Sequence, residues 1–128
     1  MSFPSKKTRF SRTNIKIFVP STKLDKRISN NEFKKRIKET QLFLTNKFGG
    51  TTKLNATGTY IFSEKSKKGK LIEEPIATVE AFIPKPKLSG KDKIEVNKFL
   101  KEKKNDWNQE ALAVTFQSAK RKLALHFI

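Results

Sequence analysis

The sequence predicts an α+β domain, an antiparallel sheet covered on one face by two helices. Three observations predict it. Apolar residues alternate with polar ones at 14–20, 52–62, 71–84 and 110–117. Two stretches with helical apolar spacing lie between these strands, and the first is bracketed by a helix start and a helix stop. A chain of 128 residues fits one domain with a real core. We assign residues 1–12 to a flexible basic arm and 13–128 to a single domain.

Residues 1–12 carry Lys6, Lys7, Arg9 and Arg12 with no acid and no periodicity. "NIKIFVP" then alternates Ile15, Ile17 and Val19 against Lys16 and Phe18, and Pro20 ends the strand. "SNNE" at 29–32 matches a capping box, with Ser29 as N-cap and Glu32 three residues on. Phe33, Ile37, Thr40, Leu44 and Phe48 share one helical face, so the helix is expected from about Asn30 to Phe48. Gly49-Gly50 sits at its C-cap, where a positive φ is wanted. A phosphate loop would instead place its glycines before a helix, at the positive dipole end. These glycines stop a helix.

"TKLNATGTYIF" (52–62) is a strand with a bulge suspected at Gly58. "SEKSKKGK" (63–70) is a lysine-rich turn, and "LIEEPIATVEAFIP" (71–84) is the returning strand. Pro75 cannot donate to a ladder, so that strand is expected to begin after it or to bulge there. Ser89 or Asp92 caps a second helix carrying Val96, Phe99, Leu100, Lys103 and Trp107 on one face, with the Lys103 ammonium in water. "EALAVTFQ" (110–117) and "LALHFI" (123–128) close the chain as strands around a "SAKRK" turn. The first six elements, β-α-β-β-α-β, match a ferredoxin-like arrangement, and the C-terminal strand is an addition.

Charge is the loudest signal. Lys+Arg number 29 against 12 Asp+Glu, a net +17. Such a field attracts polyanions. Cysteine is absent, which excludes disulfides and thiolate metal sites, and no apolar run is long enough to span a bilayer. An intracellular, cytoplasmic protein is expected. The arm (Lys6, Lys7, Arg9, Arg12), the hairpin turn (Lys65, Lys67, Lys68, Lys70) and the last turn (Lys120, Arg121, Lys122) are the expected phosphate contacts. Lys34, Lys35, Arg36 and Lys38 of the first helix read as a solvated face. With only five arginines, the contact should be led by the backbone phosphates, with weak sequence selectivity.

If the helices cover one sheet face, the other presents Phe18, Tyr60 and Phe82, with Lys16, Thr78 and Glu80, and joined by Phe62 and His126. So aromatic a face suits a homodimer packed sheet to sheet, our first expectation, or base stacking, or cover by the chain itself.

The segment "FKKRIKETQLFLTNKFGGTTKLNATGTY", followed by "GKLIEEP" and "WNQEALAV", resembles a group of small prokaryotic domains of unknown function. In that group a helix ending in Phe-Gly-Gly-x-Thr leads into a hairpin bearing Gly-x-Tyr or Gly-x-Trp and an acidic pair. The resemblance implies an α+β fold and dimers, and carries no activity.

No catalytic constellation emerges from the residues. His126 is the only histidine. Glu73 and Glu74 are neighbours, so on a strand they point to opposite faces and cannot form an acid/base pair. Neither metal-ligand spacing nor a cofactor fingerprint is present, so no metal or cofactor is expected. Composition therefore leads to a non-enzymatic nucleic-acid-binding protein, or a nucleic-acid-contacting subunit of a larger complex. The rival is an assembly protein that binds an acidic protein partner, cued by the off-stripe Leu42 and Phe43 on the first helix.

Overall fold

The computed structural model describes residues 13–24, 26–62, 69–83, 88–118 and 121–128. A five-stranded antiparallel sheet is built from β1 (Thr13–Pro20), β4 (Thr52–Phe62), β5 (Lys70–Ile83), β6 (Ala113–Ser118) and β7 (Arg121–Phe127), in the spatial order β4-β5-β1-β6-β7. Helices α1 (Asn30–Phe48) and α2 (Gly90–Asp106) lie on one face. The α+β, ferredoxin-like expectation with an added C-terminal strand holds. A small hairpin of β2 (Thr22–Lys23) and β3 (Lys26–Arg27) precedes α1.

α1 has the predicted bounds. The Ser29 hydroxyl accepts from the Glu32 amide at 3.1 Å, and Gly49 closes the helix at φ 99° with its N–H on the Thr45 carbonyl. Ser29 and Ser89 play the same part at the two helices, Ser89 accepting from the Asp92 amide. Ile15, Ile17, Val19, Ala77, Val79, Ala81, Ile83, Leu112 and Val114 are buried with Ile37, Leu44, Val96, Phe99 and Leu100 from the helices. The two helices are also tied by stacked Phe43 and Phe99 rings, with centroids 4.0 Å apart, and by Lys47, which bonds both Asp92 and Glu95. Phe43 is therefore a packing residue and no cue for a partner, whereas Leu42 is 53% exposed.

Several local expectations are corrected. β4 and β5 pair without a break from Thr52↔Glu80 to Phe62↔Lys70, so Gly58 makes no bulge and Pro75 neither starts nor distorts β5. The β1 ladder ends at Pro20↔Ile76, which leaves β5 flanked by β4 alone at Pro75, an edge position where proline is tolerated. The last strand begins earlier than expected, at Arg121. Register also moves His126: it pairs with Val114, on the helix side of the sheet, and meets the Phe116 ring edge-on at 5.7 Å. Among the described residues no helix is long and apolar enough to cross a membrane.

Candidate active site

The site begins where β1 leaves the sheet. At Ser21 the chain departs, and its amide, no longer paired with β5 backbone, donates to Glu74 Oε2 at 3.1 Å. That bond and the neighbouring chain leave Glu74 only 5% exposed, while its neighbour Glu73 faces solvent. Adjacent strand positions thus separate the two acids, as expected, but the buried one gains a partner 53 residues away. A buried carboxylate at a sheet end is costly unless it is hydrogen-bonded, so such a group is a functional candidate.

Glu74 lines a cavity of about 330 Å³ that also touches Phe18, Ile76, Gln109, Glu110 and Phe127. Gly58 faces Glu74 across the β4–β5 ladder; a Cβ there would meet only Ile76, at 3.4 Å, so glycine leaves the space beside the acid open. On a chain of net +17, the described residues lining this cavity include two acids and no basic side chain. It is a local reversal of sign. With a lining that is otherwise largely apolar and aromatic, it favours a cation.

One wall is braced from beneath by Arg36. The residue is 2% exposed, and its guanidinium donates to the carbonyls of Pro20 (2.8 Å), Thr22 (2.8 Å) and Trp107 (3.3 Å), lying 5.4 Å from the Trp107 ring centroid. Burial pushes the Arg36 pKa down, and the charges of Glu32, Glu74 and Glu39 oppose that shift. Gln109 joins the same carbonyls: Nε2 donates to Thr22 (2.5 Å) and Trp107 (3.0 Å). Leu24 and Asn108, at φ 55° and 49°, are the described non-glycine residues in the left-handed region, and the Leu24 amide donates to the Asn108 carbonyl at 3.2 Å. Both sit at the rim, one lining the cavity and one preceding Gln109. Strained backbone of this kind collects at functional sites.

Of the residues expected to contact phosphates, Lys6, Lys7, Arg9, Arg12, Lys65, Lys67, Lys68 and Lys120 lie outside the described residues; Lys70 opens β5, and Arg121 and Lys122 open β7. Phe18 and Phe82 share the helix-free face, as predicted, with the Lys16↔Glu80 pair between their rows. Phe82 is 51% exposed, whereas Phe18 is half-buried at the cavity. Tyr60 stands in β4 opposite Ile72, one alternation along from Gly58. Arg36, expected on a solvated face, is buried, and Glu74 and Gln109 were missed as site residues.

No family model and no curated protein matches the chain. Two solved structures share its fold over nearly their whole length. A phage SAM lyase in complex with S-methyl-5'-thioadenosine superposes with a TM-score of 0.67 at 18% identity, covering 97% of this chain and 96% of that one. A phage SAM lyase in the apo state gives 0.63 at 20% identity, covering 97% of each. These neighbours are enzymes. They overturn the expectations of a non-enzymatic protein and of a nucleic-acid binder, which rested on net charge, on the basic arm and turns and on the lack of a catalytic constellation in the sequence.

Proposed function

We propose that this chain is a lyase acting on S-adenosylmethionine (SAM) and releasing S-methyl-5'-thioadenosine, with the cavity beside Glu74 as its active site. The observation that carries the reading is the acidic, aromatic-walled cavity on an otherwise basic chain whose fold matches SAM lyases end to end. SAM bears a sulfonium, an ammonium and one carboxylate, a net cation. Glu74 and Glu110 supply the countercharge, and the Phe18 and Phe127 rings supply faces on which a sulfonium rests by cation–π attraction.

The chemistry suits these surroundings. Release of S-methyl-5'-thioadenosine breaks the bond between sulfur and the four-carbon amino-acid chain, and the electron pair stays on sulfur. The vacated carbon is satisfied either by attack of the fragment's own carboxylate, which closes a ring, or by transfer of a neighbouring proton to a base such as the Glu74 carboxylate. A sulfonium becomes a neutral thioether, so charge disappears at sulfur. A cleft lined largely by apolar side chains solvates the cation less well than bulk water does, which favours that loss of charge. Glu74, fixed by the Ser21 amide, holds the cationic substrate in place. Incubating the purified chain with SAM and following nucleoside products by chromatography tests the reading. S-methyl-5'-thioadenosine should accumulate in proportion to SAM consumed; unchanged SAM would refute it.

A further inference from the structure

The bond that holds Glu74 and the bonds made by Arg36 meet on one peptide group. The unit joining Pro20 to Ser21 carries the Pro20 carbonyl at one end and the Ser21 amide at the other. The carbonyl accepts from Arg36 Nη1 at 2.8 Å, and the amide donates to Glu74 Oε2 at 3.1 Å. In a trans peptide, the form of nearly every bond that does not precede proline, these two groups point in opposite directions. Arg36 and Glu74 therefore grip the same unit from its two sides, and no hydrogen bond joins them directly among the described residues.

The chain on either side is pinned as well. Arg36 Nη1 also takes the Thr22 carbonyl at 2.8 Å, and the Ser21 carbonyl accepts from the Ile28 amide at 2.9 Å. Turning the Pro20–Ser21 peptide away from Glu74 would break its bond to Arg36 too. A cation on the carbonyl also polarises the peptide and strengthens the N–H bond at its far end, most of all where water is excluded. Ser21 is 0% exposed, and Arg36 and Glu74 are both buried. We infer that Arg36 is the positioning residue for Glu74: its guanidinium sets the Pro20–Ser21 peptide, and that peptide sets the carboxylate. A cation on α1 thus governs an acid on β5 to which it is not bonded. The effect on turnover rests on the lyase reading above, whereas the chain of bonds does not.

NMR of the full chain reads the relay without any reaction. The wild-type Ser21 amide proton should exchange slowly with solvent. Arg36→Lys, which keeps the charge but loses the forked grip, and Glu74→Gln, which leaves a neutral acceptor, should each move its resonance upfield as the bond weakens. A Ser21 amide that exchanges as freely as one in an open loop overturns the inference with no variant needed. So does a resonance that Arg36→Lys leaves unmoved. Turnover then tests the consequence. Per folded molecule, Arg36→Lys should lower formation of S-methyl-5'-thioadenosine about tenfold. On the Glu74→Gln background the same change should cost less than about twofold, because the charge it positions is gone. Equal losses on the two backgrounds mean a general structural role for Arg36 and overturn the inference while leaving the lyase reading intact. A wild type that leaves SAM unchanged removes the lyase reading, and the Ser21 resonance still decides whether Arg36 sets Glu74.

Discussion

At one end of the sheet, where β1 stops, a cavity of about 330 Å³ lies among Phe18, Glu74 and Gln109. At the other end and on the helix side, a cavity of about 500 Å³ opens between α2 and the β6–β7 hairpin, with Val96, Leu100 and Ile128 along it and Lys93 and His126 among its polar residues. Size alone would choose the second. The first, however, has a buried acid with a dedicated backbone donor, walls fixed by a buried guanidinium, left-handed backbone at its rim and a charge opposite to that of the chain. The second is the gap left where α2 and the last hairpin diverge, and Lys93 there shares the sign of the whole surface. Chemistry is read from how a cavity is built, and volume is a poor proxy for it.

The largest expected effect is at Glu74. Glu74→Gln keeps an oxygen for the Ser21 amide but removes the charge, so formation of S-methyl-5'-thioadenosine should fall by about a hundredfold or more. Lys93→Ala, at the second cavity, should leave the rate within about twofold, since single surface changes perturb little. Equal losses at both sites would break the distinction between the two cavities. Arg36→Met comes next. It removes the side-chain donor of the Pro20 carbonyl and leaves the Thr22 and Trp107 carbonyls to Gln109 alone, and urea denaturation should show a loss of about 2–4 kcal/mol. Smaller again is Gly58→Leu, which places a side chain in the space beside Glu74. The KM for SAM should rise about tenfold with little change in thermal stability, because a Cβ there meets only the Ile76 side chain and the rest of the new side chain enters open space.

The smallest effect lies away from both cavities, at Lys103. Its Nζ is 2.6 Å from Glu39 and 3.7 Å from Asp106 and lies 5.7 Å from the Phe99 ring centroid, so the ammonium expected in water is bridging the two helices instead. Burial lowers its pKa, but the hydrogen bond and charge of Glu39, with Asp106, outweigh it and leave the pKa raised above the ordinary 10.5. A raised folded pKa means stability that is fully present below 10.5 and lost as pH climbs through the folded value. Glu39→Gln should therefore cost less than about 1 kcal/mol at neutral pH, and thermal melts in strongly alkaline buffer should show that difference disappearing.

Much of this fold is legible in the sequence, and the reasons are local. Ser29, Glu32 and Gly49 set both ends of α1 within the helix itself, and period-two alternation sorts Ile15, Ile17 and Val19 from Lys16 and Phe18. The burial of Arg36 was legible too. It precedes Thr40 by four residues and Leu44 by eight, in the buried stripe, while its neighbours Lys34, Lys35 and Lys38 are exposed; reading the four as one basic cluster hid the phase. Glu74 was not legible. Its partner is a backbone amide in a loop 53 residues upstream, and only the exit of β1 from the sheet brings them together. Net charge misled for a related reason. It is summed over exposed lysines such as Lys35, Lys98 and Lys101 and carries no information on the sign inside one small cavity.

Leu24 sets the fold and the cavity at odds. A leucine at φ 55° holds its backbone where glycine would sit without strain, at a cost of about 1 kcal/mol, yet its side chain is part of the cavity wall. Selection for thermal robustness alone would drift this position towards glycine, and selection for turnover would hold it back. In a library screened first for survival on heating and then for catalysis, position 24 is where the two rankings should diverge, gaining melting temperature as it loses rate.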